Sequence, residues 1–133
     1  MKTWKATACI AGTLVLASML SGCWLLPVSI DETADGTVRS VEVGDEILIR
    51  LSGNVSTGQQ WIRQSPASLE GTPLEAVSEG EYELDDPDVC GGPGDFLFRY
   101  RATTSGTVEL LFEYRKPWED EPTDTFSIIL WAQ

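Results

Sequence analysis

A chain of 133 residues, 42% of them hydrophobic, has room for one domain with a single core and little more. Nine basic residues against 21 acidic ones leave a net charge of −12, which argues against nucleic acid and anionic lipid headgroups and favours solubility or a basic partner. Histidine is absent, so Ser-His-Asp and Cys-His nucleophiles and imidazole zinc ligands are excluded, and neither an enzyme nor a bound metal or cofactor is expected.

Met1 to Lys5 carries two lysines, and Ala6 to Leu20 is uncharged and mostly apolar. That stretch is shorter than the ~20 residues a spanning helix needs, and with the small residues that follow it predicts an export signal over residues 1–22. Leu20-Ser21-Gly22-Cys23 resembles the lipobox of bacterial lipoproteins. That resemblance implies cleavage before Cys23, acylation of its thiol, and a chain held on the bilayer of the cell envelope, at its periplasmic or extracellular face. An ordinary secretory signal cut nearby is the plainer alternative. Without residues 1–22 the chain keeps 7 basic and 21 acidic residues, a net of −14. Cys90 is then the one thiol left in the folded part, so no internal disulfide is available and the core must hold the fold unaided. Residues 23–35 are expected to be a spacer, stiffened by Pro27.

From Gly36 onward the pattern has period two, punctuated by Gly, Pro, Ser and Asp, which predicts short strands throughout residues 36–133. "GTVRSVEV" sets Val41 and Val43 on one side of Glu42, and "EILIRL" aligns Ile47, Ile49 and Leu51. Trp61 in "QQWIRQ" is a core anchor. "EAVSEGEYEL" predicts an acidic edge strand broken at Gly80, where charge discourages wrong pairing. "FLFRYRA" points Phe96, Phe98, Tyr100 and Ala102 inward, with Arg99 and Arg101 outward. "LLFEY" puts Leu110, Phe112 and Tyr114 on one face, and "TFSIILWA" buries Phe126, Ile128 and Leu130. About seven strands in about 100 residues predict an all-β, immunoglobulin-like antiparallel sandwich, with a monomer expected.

Alternating strand directions send every second connection to the same end. Three connections there have unusual compositions: "GNVSTGQQW", "DVCGGPGDF" and "RKPWEDEPTD". Each has an ordinary explanation. Asn54, Ser56, Thr57 and Gly58 suit a tight turn, the glycines around Pro93 suit another, and Trp118 can fold back as a cap. Asp85, Asp86 and Asp88 make a solvated loop or, less expectedly, a calcium site, since EF-hand spacing is absent. Taken together, small hydroxyls, bare backbone and an indole between Pro117 and a run of acids make complementary binding chemistry.

The ordered trio resembles the chagasin-type inhibitors of papain-like cysteine peptidases. That family shows Asn-Pro-Thr-Thr-Gly, Gly-x-Gly-Gly and Tyr-x-Arg-Pro-Trp on three same-end loops. Here Asn54-Val55-Ser56-Thr57-Gly58, Gly91-Gly92-Pro93-Gly94 and Tyr114-Arg115-Lys116-Pro117-Trp118 stand in their places. The resemblance implies a reversible wedge in the peptidase cleft, with Thr57 nearest the catalytic cysteine and Trp118 on one wall. Val55 stands where the family has proline, Pro93 where it has glycine, and Lys116 where it has arginine, unless Arg115 is the functional cation. The rival reading is a lipid-anchored adhesive or carbohydrate-binding sandwich, with Trp118 and Trp131 as its stacking surface. A mixed disulfide through Cys90 is a further alternative.

Overall fold

The computed structural model describes residues 26–133; the export signal, Cys23 and Trp24 lie outside the described residues. Among the described residues there are eight strands: β1 (Val28–Ile30), β2 (Thr37–Val41), β3 (Glu46–Gly53), β4 (Gln60–Ser65), β5 (Leu74–Leu84), β6 (Gly94–Ala102), β7 (Gly106–Arg115) and β8 (Asp124–Ala132). They form two four-stranded sheets in the orders β1-β3-β6-β5 and β2-β8-β7-β4. The expected all-β sandwich is what the chain builds.

Alternation sorts the side chains as expected. Ile47, Ile49 and Leu51 from β3, Phe96, Phe98 and Tyr100 from β6, Leu110 and Phe112 from β7, and Phe126, Ile128 and Leu130 from β8 are all buried between the sheets. Facing apolar rows leave water together, at roughly 25 cal/mol per Å² of apolar area buried. Phe98 meets Phe112 edge-on, with centroids 4.7 Å apart across the two layers.

Two expectations need correction at the N-terminal side. The segment read as a spacer carries β1, which pairs parallel with β3 and buries Ile30 in the core. The chain then makes one 3-10 turn, Glu32–Ala34, and crosses to the other sheet, where β2 pairs parallel with β8. Glu32 accepts the Ser52 N–H and Asp35 accepts the Ser127 N–H, so the crossing is bonded to both sheets. Strictly antiparallel pairing therefore describes the centre of each sheet but not this margin. The apolar spacing at Val28 and Ile30 was too short to stand out as a strand. Val43 is the second correction: β2 ends at Val41, and Val43 turns outward, 47% exposed.

β5 is the edge strand expected, with register shifts at Val77 and at Gly80, the latter at φ +82°. The seam between β5 and the facing edge strand β4 is closed by charge. Arg63 Nε donates to Glu79 Oε1 at 2.6 Å, and the Tyr100 hydroxyl donates to the same oxygen at 2.5 Å. Burial pushes the Glu79 carboxyl up, but the hydrogen bonds from Arg63 and Tyr100 outweigh it and hold the group below the usual carboxylate range.

Candidate functional site

Strand register places all three unusual connections at one pole. Gly53 of β3 and Leu84 of β5 both pair with Gly94 of β6, Gln60 of β4 pairs with Arg115 of β7, and Tyr114 pairs with Asp124 of β8. The loops that leave these strand ends are 54–59, 85–93 and 116–123.

The first loop is a single 3-10 turn, Val55–Thr57, capped by Asn54, whose Oδ1 accepts the Ser56 N–H at 2.9 Å and its hydroxyl at 2.6 Å. The Thr57 hydroxyl donates to the Asn54 carbonyl at 2.7 Å, and Gly58 ends the turn at φ +80°, a conformation glycine takes without a Cβ clash. These bonds supply the rigidity that a proline at position 55 would otherwise give. Val55 itself is exposed.

The second loop divides the glycines into two kinds. Gly91, at φ +69°, and Pro93 are exposed, whereas Gly92 and Gly94 are buried. A Cβ on Gly94 would lie 2.4 Å from the Glu83 carbonyl oxygen and 2.7 Å from the Tyr82 ring. Gly94 thus serves the packing of β6 against β5 and presents no surface to a partner. Asp86 caps the preceding turn by accepting the Asp88 N–H, and Cys90 is exposed beside it.

In the third loop, Pro117 and Trp118 sit at the centre of a turn closed by the Glu119 N–H on the Lys116 carbonyl at 3.0 Å. The Arg115 guanidinium donates to the Pro117 and Glu119 carbonyls, at 3.2 and 3.1 Å, and pairs with Glu113. With only 17% of its side chain exposed, Arg115 is a strap inside the loop rather than a group offered outward. The cation at the tip is Lys116, whose Nζ stands 6.0 Å from the centre of the Trp118 ring. Trp118 is 73% exposed and so does not cap the core.

Direct contacts join the three loops. Asn54 Nδ2 donates to the Gly91 carbonyl at 3.1 Å, and the Ser56 side chain packs against the same loop, its Oγ 3.3 Å from that carbonyl. Gln59 Nε2 donates to Thr123 Oγ1 at 3.0 Å, and a Cβ on Gly58 would touch Trp118 Cη2 at 3.4 Å. An aromatic floor supports them. Trp61 donates to the Ser52 carbonyl at 2.8 Å and stacks on Tyr114 at 5.2 Å; Phe96 and Tyr82 continue the row. Tyr82 donates to the Gly92 carbonyl at 3.1 Å. The supporting roles of Tyr82, Gln59 and Thr123 were not foreseen. A tyrosine near the end of an edge strand, just before the loop, is the signal that could have found the first of them, since a partly buried phenol seeks a partner.

The chain matches the profile of the Chagasin family peptidase inhibitor I42 over residues 40–130. It belongs to that family. Amoebiasin-1 of Entamoeba histolytica is 29% identical over 102 residues, spanning 76% of this chain and 95% of the relative. The solution structure of Amebosin superposes with a TM-score of 0.65 at 25% identity, over 81% of this chain and 99% of that one. The crystal structure of the cysteine protease inhibitor EhICP2 from Entamoeba histolytica also gives 0.65, at 19% identity, over 80% and 94%; that likeness concerns the fold. The chagasin-family sandwich thus presents its three motif loops as one bonded surface.

Proposed function

We propose that this chagasin-family chain inhibits papain-like cysteine peptidases by a reversible wedge formed from the three loops. The observation that carries the reading is the set of direct bonds among Asn54, Ser56 and Gly91, with Trp118 packed on Gly58 at the same pole. A pre-bonded tip loses little freedom on binding, so the contacts it makes are not cancelled by ordering costs. The Val55–Thr57 turn enters the cleft, Gly91 and Pro93 run along one wall, and Trp118 fills a pocket on the other, with Lys116 beside it. A 3-10 turn closed by the Thr57 hydroxyl does not present an extended scissile bond, so the near-attack geometry of a substrate is not reached. No bond is made or broken. Trp131 lies on β8 at the far pole from Trp118, which argues against a shared stacking surface for sugar.

Progress curves of papain with a peptide substrate test this. Inhibition relieved by excess substrate and reversed on dilution, with the inhibitor chain recovered uncut and trypsin unaffected, is expected. Time-dependent irreversible loss of activity, or full papain activity at large inhibitor excess, contradicts it.

The export signal and the Leu20-to-Cys23 motif further support a mature chain that begins at an acylated Cys23 and works on the bilayer of the cell envelope. Radiolabelled palmitate incorporated into the full chain but not into Cys23→Ala tests that; label in both, or in neither, argues against it.

A further inference from the structure

The pole opposite the loops carries apolar side chains that the wedge does not use. Leu26, Val43 and Trp131 are 86%, 47% and 48% exposed. Backbone bonds gather the segments that bear the last two: the Val43 N–H donates to the Gln133 carbonyl at 3.1 Å, and the Gly44 N–H to the Ala102 carbonyl at 2.7 Å. Ala132, next to Trp131, pairs with Val41 on one side and Gly106 on the other, at the strand ends furthest from the loops. β1 enters at this pole too, because Val28 pairs with Ile47 near the start of β3 and the strand runs toward the loops from there.

The chain before β1 fixes the direction of the anchor. Cys23 is five residues before Val28, a reach of at most about 17 Å when fully extended. A sandwich of nine-residue strands is about 30 Å tall. An anchor at Cys23 therefore cannot reach the loop end of the domain.

We infer that this pole is the membrane-facing surface, with Leu26, Val43 and Trp131 resting on the lipid to which Cys23 is attached and the three loops held toward the water. The inference rests on the lipid-anchor reading and adds an orientation and a contact to it. Tryptophan favours the headgroup level of a bilayer, where its ring is apolar and its N–H stays wet. An acyl anchor supplies the attachment and the small apolar set adds contact. Glu42 and Asp45 flank Val43, and Arg101 at the same pole is already paired with Glu46 and Glu75, so the fitting surface is one rich in phosphatidylethanolamine rather than strongly anionic. The peptidase it meets then approaches from the aqueous side, as a soluble enzyme.

The test uses the acylated full chain in vesicles of phosphatidylethanolamine with one-fifth phosphatidylglycerol, some carrying a nickel-chelating lipid headgroup. A fluorophore is placed on Cys90 at the loop pole or, in a Cys90→Ser background, on Val43→Cys at the other. Quenching by the nickel lipid several-fold stronger at position 43 than at 90 is expected, and Trp131→Glu should reduce the quenching at 43. Equal quenching, or stronger quenching at 90, overturns the orientation, and quenching at 43 indifferent to Trp131→Glu overturns the contact. Failure of the chain to acquire acyl groups, read by mass spectrometry, overturns the anchor reading and this inference with it. Papain inhibition in detergent solution, by contrast, is expected to be unchanged by Trp131→Glu.

Discussion

Tyr114 and Asn54 are bound to each other twice: the phenol oxygen accepts the Asn54 N–H at 2.9 Å, and the hydroxyl donates back to the Asn54 carbonyl at 3.4 Å. Tyr114 belongs to β7 in one sheet, and Asn54 follows β3 in the other. The residue that caps the first loop is thereby fixed by the strand that leads into the third. Tyr114→Phe keeps the stacking on Trp61 and removes both bonds. A loss of about 1 kcal/mol in urea unfolding is expected, with papain inhibition weakened by about three- to tenfold as the loops uncouple.

Trp118→Ala separates binding from folding. An exposed indole that anchors a partner should cost about 2 kcal/mol or more in papain affinity, while the melting midpoint stays nearly unchanged. Equal losses in both measurements would mean that the ring supports the sandwich instead.

The two kinds of glycine in the second loop predict opposite signatures. Gly94→Ala drives a methyl into the Glu83 carbonyl and should lower stability by about 2 kcal/mol or more, as overpacking of a closed site does. Gly91→Ala meets Ser56 only at ordinary contact distance, so its cost is confined to the left-handed φ, about 1 kcal/mol. Its larger effect should be on papain inhibition. Thermal melts and inhibition titrations of the two variants check the contrast.

Glu79 makes the seam between β4 and β5 sensitive to acid. Its carboxyl lies lower in the folded chain than the value of about 4.3 expected when unfolded. The folded state therefore gains stability above the unfolded value, and that gain disappears as pH falls through the folded one. Glu79→Gln should be less stable than the parent near pH 7, and the gap should narrow below pH 4. Urea unfolding between pH 7 and 3 measures it.

Much of this architecture was legible because alternation is a strong signal where one face is buried. Phe96, Phe98, Tyr100, Phe126, Ile128 and Leu130 all lie where period two places them, and the loop pole follows from strand direction alone. β1 escaped because three residues carry too little periodicity, and its pairing with β3 is a tertiary fact. The motif loops were legible as segments, but not the division of labour within them. Arg115 and Lys116 are adjacent charges, and only the carbonyls of Pro117 and Glu119 decide that the first is the strap and the second the free cation. Gly94 likewise looks the same as Gly91 until the Glu83 carbonyl is seen beside it.

Hydrogen exchange of residues 26–133, alone and bound to papain, tests the wedge most directly. Added protection confined to 54–58, 91–93 and 116–118, with the turn at 43–45 and the end of β8 unchanged, is the expected footprint. Protection centred on the opposite pole, or on one loop without the other two, would contradict it.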